Sequence, residues 1–98
     1  MNIQLHAVHF KADSKLEEKI MEKIEHLSHY HSKIERADVF LKLENSSVNV
    51  KEKIVEVKLH LPGADIFTSQ NGHHFEEALE LAYDQIKGQI IKHKEKHS

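Results

Sequence analysis

Within the segment Lys53 to Leu61 apolar and polar side chains alternate: Val55, Val57, Leu59 and Leu61 on one side, Glu56, Lys58 and His60 on the other. A period of two over that length is a strand with one face buried and one in water, so the chain must build a sheet and cover one side of it. Pro62-Gly63 comes next, with Pro presetting φ at the second turn position and Gly accepting positive φ at the third. The chain therefore turns back into a short return strand, Ile66-Phe67-Thr68. Two further runs alternate. Asn2 to His9 sets Ile3, Leu5 and Ala7 against Gln4 and His6. Asp38 to Glu44 turns Val39, Leu41 and Leu43 inward and Lys42 and Glu44 outward, with Phe40 on the polar side. The polar stretch Asn45 to Glu52 reads as a loop.

Two other segments switch to the helical period. After Ala12-Asp13-Ser14, where Asp13 can accept from the free amides of a first turn, Leu16, Ile20, Ile24 and Leu27 recur at spacings of four, four and three. That predicts a helix to about His31, closed by Tyr30 and Ile34. Gln70 to His73 turns the chain into a second helix, whose stripe is Phe75, Leu79, Ala82, Ile86 and Ile90. The order is strand, helix, three strands, helix. Strands one and two flank a helix and can pair in parallel through a right-handed crossover, while strands two to four form an antiparallel meander. Every apolar face is satisfied by an α+β arrangement, βαβββα, in which two helices pack on one face of a four-stranded mixed sheet. The expected core takes in Leu16, Ile20, Ile24, Leu27, Val55, Val57, Leu59, Leu79, Ala82 and Ile86. With 98 residues and no internal repeat, residues 1–98 read as a single domain.

Several function classes find no support. No run approaches a membrane span, and the N-terminus lacks a secretory signal, so a cytoplasmic location is the default and no membrane partner is expected. There is no cysteine, no glycine-rich phosphate loop and no nucleophile elbow, so the chain reads as non-enzymatic, with no cofactor and no small-molecule substrate. The ten histidines include close pairs, His29 with His31, His73 with His74, and His93 with His97. A zinc site would need a third ligand and an ordered outer shell, so these read as exposed polar residues and no metal is expected. The net charge of −2 does not announce a nucleic-acid binder, and the distribution must decide. Lys15, Lys19 and Lys23 repeat every fourth residue and form one row on helix one. Helix two runs from Glu76, Glu77, Glu80 and Asp84 to Lys87, Lys92, Lys94 and Lys96, an order that suits the helix dipole. The helix-one row has no such excuse and reads as a basic patch for phosphate contact.

The strand Val39-Phe40-Leu41-Lys42-Leu43-Glu44, the segment Val55-Glu56-Val57-Lys58-Leu59 with Pro62-Gly63, and the helix opening Phe75-Glu76-Glu77-Ala78-Leu79-Glu80 and ending Gln89-Ile90-Ile91-Lys92-His93-Lys94-Glu95-Lys96 resemble the ribosome hibernation promoting factors. That family is also called ribosome-associated inhibitor or sigma-54 modulation protein. Val8-His9-Phe10-Lys11-Ala12-Asp13 and the spacing Leu27…Tyr30…Ile34 fit as well, so the resemblance spans essentially the whole chain. It implies a fold akin to double-stranded-RNA-binding domains. It also implies binding to the small ribosomal subunit and its rRNA, occluding the tRNA and mRNA path in stationary phase or stress, with other ribosome-associated factors as further partners. Contacts in the family come from the helices. This implies roles for Lys23, Gln89, Lys92 and Lys94, with Lys87 standing in for one arginine, beside Lys15 and Lys19 of the row. Gly88, Glu17 and His26 stand where the family often carries a cation, and Glu76 where it often carries Tyr. The chain stops after helix two and so looks like the short form. A regulator working through protein contacts alone, as the sigma-54 name suggests, is the alternative.

Overall fold

The structure is a computed structural model and describes residues 1–45 and 51–96. Its elements are β1 (Asn2–Ala7), α1 (Ser14–Glu25), a 3₁₀ turn (His26–His29), β2 (Arg36–Asn45), β3 (Lys51–Leu61), β4 (Ala64–Gly72) and α2 (Phe75–Lys96). The strands lie side by side in chain order, β1 parallel to β2 and the rest antiparallel, as the alternation and the intervening helix require. Gly63, at φ 76°, makes the tight link between Leu61 and Ala64. Asp13 caps α1 by accepting from the Leu16 amide at 2.8 Å.

Both helices cover one face of the sheet, α2 over β3 and β4 and α1 beside it towards β1. Ile20, Ile24, Leu27, Val39, Leu41, Val55, Val57, Leu59, Ile86 and Ile90 are fully buried between the layers. Leu16 is only partly buried, because the first turn of α1 reaches the edge of the sheet. Leu43, expected inward, is on the helix side but 40% exposed. Its cross-strand partner is Lys53, whose own neighbour is Gly72, so no large apolar side chain closes that row.

The strands and helix one end elsewhere than expected, for local reasons. β1 stops at Ala7 because His9 takes φ 64°, a left-handed turn that redirects the chain into α1. α1 becomes a 3₁₀ turn at His26, where the Ser28 hydroxyl bonds the Glu25 carbonyl at 2.8 Å and Leu27 stays fully buried. β2 and β3 run into the expected loop as far as the Asn45–Lys51 pair, and residues 46–50 lie outside the described part. β4 continues to Gly72, held by polar pairs such as Asn71 on Glu52 (2.9 Å) and Ser69 on Glu56 (3.1 Å). A backbone ladder needs no apolar side chains, so hydrophobic alternation stops short of it.

Candidate nucleic-acid interface

The two faces of the molecule differ in charge. On the open face of the sheet the strand register sets Arg36, Lys42 and Lys58 among Asp38, Glu44, Glu52, Glu56 and Asp65. His60 bridges Asp38 (2.9 Å) and Asp65 (3.1 Å), and Lys42 pairs with Glu56 at 2.8 Å. The His60 hydrogen bond, then the Arg36 guanidinium, hold the Asp38 carboxyl below its ordinary range. Phe40, the aromatic on the polar side, stacks on His6 at 4.9 Å. Five carboxylates against three cations make this an acidic surface, unsuited to phosphate.

On the other face α1 and α2 run side by side in the same direction. Lys19 reaches Glu76 at 3.8 Å and Lys23 reaches Glu80 at 3.1 Å. Further along, His26 Nδ1 is 3.0 Å from the Tyr83 hydroxyl, and the Lys87 ammonium lies 5.1 Å from the centre of the Tyr30 ring. The same relative shift connects each pair, so the helix order itself places residues opposite one another.

This packing divides the expected contact residues. Lys19 and Lys23 line a groove of about 530 Å³ whose walls also carry Glu22, Glu76 and Glu80. The Lys23 ammonium sits 4.3 Å from the centre of the Tyr83 ring. The helix-one row is therefore neutralised along much of its length rather than bordering a purely basic groove. Lys15 is exposed at the amino ends of both helices, beside Lys53 and His74 and facing Asp13 and Glu76. The ion pairs among the described residues include neither Lys87 nor Lys92 nor Lys94. Lys87 and Lys94 flank Tyr30, whereas Lys92 lies across α2 beside Ile66 and Gln89. Gln89 commits both amide protons within the protein, to the Phe67 carbonyl (3.0 Å) and to Gln85 (2.7 Å). It ties α2 to β4, so a phosphate contact from Gln89 requires exchanging one of these two bonds.

Tyr30, His31, Lys33 and Tyr83 complete the carboxyl end. Hydrogen bonds from Tyr83 and then Lys87 hold the Tyr30 phenol below its usual value, while burial pushes Tyr83 up to about 12. His31 is pushed down by burial first, then by His93, Lys94 and Lys33. In the sequence Tyr30 closes the helix and fits the Leu27…Tyr30…Ile34 spacing, with nothing to mark it as a contact residue, and Lys33 carries no periodic signal at all. Among the described residues no three His, Cys, Asp or Glu side chains gather as a metal site, and no helix is long and apolar enough to cross a membrane.

Comparison with known proteins adds to this geometry. Residues 3–98 match the family described as sigma 54 modulation protein / S30EA ribosomal protein. A ribosome hibernation promoting factor from Azotobacter vinelandii is 32% identical over 81 residues, which cover 83% of this chain and 71% of that protein. Another so named, from Pseudomonas putida, is 25% identical over 96 residues, 98% of this chain and 89% of its own. Among solved structures, a ribosomal subunit interface protein from Coxiella burnetii superposes with a TM-score of 0.85 at 19% identity, covering 96% of this chain and 98% of its own. The N-terminal domain of Thermus thermophilus Protein Y gives 0.79 at 21% identity, covering 92% and 96%. These two share the fold.

Proposed function

The chain belongs to the sigma 54 modulation protein / S30EA ribosomal protein family, and from that premise we propose that it is a ribosome hibernation factor acting in the cytoplasm. It binds the small ribosomal subunit through rRNA and inhibits translation by occupying the path of tRNA and mRNA. The observation that carries the reading is the lysine set of α2, Lys87, Lys92 and Lys94, outside the ion pairs among the described residues and on the helix layer rather than on the acidic open face of the sheet, with Lys87 and Lys94 on one side of α2 and Lys92 on the other. Cations outside the ion pairs among the described residues can meet phosphate without first breaking one of those pairs. Lys23, Lys19 and Lys15 extend the contact along α1, and phosphate contacts position the protein with little reading of sequence. No covalent chemistry is required of any residue, since the effect is steric. A regulator acting only through protein partners has the family's older name in its favour and nothing in the charge layout.

Ribosome pelleting over a range of salt tests this. The wild-type protein should pellet with small subunits in a salt-sensitive way, because each phosphate contact releases condensed counterions. Lys23→Glu with Lys92→Glu should weaken binding strongly at physiological salt; Lys92→Glu alone should leave folding within about 0.5 kcal/mol, whereas Lys23→Glu also replaces the pair with Glu80 by a like-charge contact, so folding is measured beside binding. Lys58→Glu, on the acidic sheet face, should bind nearly as well as wild type. Loss of binding in Lys58→Glu, with the double variant still pelleting, would move the contact to the sheet.

A further inference from the structure

Two large apolar side chains of α2 stand outside its buried stripe, Leu81 at 46% exposed and Ile91 at 41%, and of the two Ile91 lines a pocket. It does not stand alone. With Tyr30, Lys94 and Glu95 it lines an open pocket of about 320 Å³ where the end of the α1 segment meets α2. Tyr30 is half-buried and packs against the core, and the Lys87 ammonium stands 5.1 Å from its ring centre. His31, the next residue in the chain, has its protonation pushed down by burial first and then by the nearby His93, Lys94 and Lys33. An aromatic ring and an aliphatic side chain thus form a shelf among several cations, with Glu95 as the acid in the pocket wall.

We propose that this shelf is a slot for one unpaired nucleobase of the bound RNA, stacked on Tyr30 against Ile91, with Lys87 and Lys94 taking the phosphates on either side. The inference rests on the RNA-binding reading above and adds what lysines alone lack, a non-ionic contact with a base. Single strands are held by this combination, a basic track that follows the backbone and aromatic rings on which bases stack. Lys87 occupies the ring in the free protein, and a phosphate that draws it away leaves the ring to the base. Charge selects the occupant: an apolar peptide gains nothing from the lysines, whereas an RNA strand uses both features. The contrast is Phe67, more exposed at 52% but set on the acidic sheet face, where phosphate is repelled.

Stacking and ion pairing leave different signatures. In ribosome pelleting, Tyr30→Ala should lose about tenfold in affinity at every salt concentration with the salt slope unchanged, and Tyr30→Phe should bind like wild type. Lys87→Gln with Lys94→Gln should instead flatten the slope. A spectroscopic arm excludes a merely structural role for the ring. The chain has two tyrosines and no tryptophan, so Tyr83→Phe leaves Tyr30 as the sole emitter. A short single-stranded oligoadenylate should quench that emission, while an equally long abasic ribose-phosphate strand at matched occupancy should not. Equal quenching by both strands, or a flattened slope in Tyr30→Ala, overturns the slot while leaving the phosphate contacts standing. Wild-type protein that fails to pellet at any salt overturns the ribosome reading, and the slot with it.

Discussion

The two ends of α2 carry opposite logic, although each lies beside the same partner segment. At the amino end Glu76 and Glu80 reach across to Lys19 and Lys23, so the helices are joined by ion pairs and the groove between them is close to neutral. At the carboxyl end Lys87 and Lys94 face Tyr30, with Lys33 and His31 close by, and Lys87 rests on the Tyr30 ring, whereas Lys23 at the other end shares itself between the Tyr83 ring and the Glu80 carboxylate. Exposed ion pairs contribute little to stability, with typical values of about 0–1 kcal/mol, but they do keep a cation occupied. A lysine therefore counts towards a phosphate surface according to what it faces, and equal numbers of lysines make unequal surfaces.

The largest effect expected from this difference is in charge reversal. Lys87→Glu with Lys94→Glu should lower ribosome affinity by about 100-fold or more at physiological salt, as loss of two phosphate contacts plus repulsion implies. Lys19→Glu with Lys23→Glu should cost clearly less, since those ammonium groups begin in ion pairs. Equal losses in a pelleting titration would break the distinction between the ends.

Next in size is a stability effect confined to the carboxyl half. Gly88 is exposed in mid-helix, and a Cβ there would meet nothing within 4 Å. Gly88→Ala should stabilise the fold by about 0.5–1 kcal/mol, read from chemical denaturation, with the salt slope of binding unchanged. No gain would mean that the carboxyl half of α2 frays regardless of propensity.

A smaller effect should come from releasing a cation at the amino end. Glu80→Gln removes the partner 3.1 Å from Lys23 and should tighten ribosome binding about two- to threefold, with a steeper salt slope. Weaker binding would show that Glu80 is needed to position Lys23, and the ends would then differ in how they hold lysines rather than in how many are available.

The smallest effect concerns pH. His31 has its protonation pushed down in the free protein, so its charged form is disfavoured and it is neutral near pH 7. Because the folded value lies below the unfolded one, its contribution to stability is present above the unfolded value near 6.5 and is lost as pH falls towards the folded value. A phosphate nearby reverses the shift, so binding takes up a proton and affinity should rise modestly from pH 7.5 to pH 6. His31→Gln should flatten that rise at fixed salt. A profile identical to wild type would place His31 away from the RNA.

The sequence by itself determined the element order and the sheet. Alternation from Val55 to Leu61 and the stripe Ile20, Ile24, Leu27 left one side of each element apolar, and water drives those sides together. Asp13 and Pro62-Gly63 were equally legible, because caps and turns depend on neighbours within a few residues. The extent of β2, β3 and β4 was not, since backbone pairing continued through polar residues as far as Asn45, Lys51 and Gly72. The family resemblance implied a contact face on the helices, through Lys23, Gln89, Lys92 and Lys94 with Lys87. Which lysines are already paired was decided only when α1 and α2 lay side by side in one direction, setting Lys23 on Glu80 and Tyr30 under Lys87. Side-chain chemistry at a helix surface is local, but the partner it meets lies some fifty or more residues away along the chain, and only packing brings the two within reach of a charge.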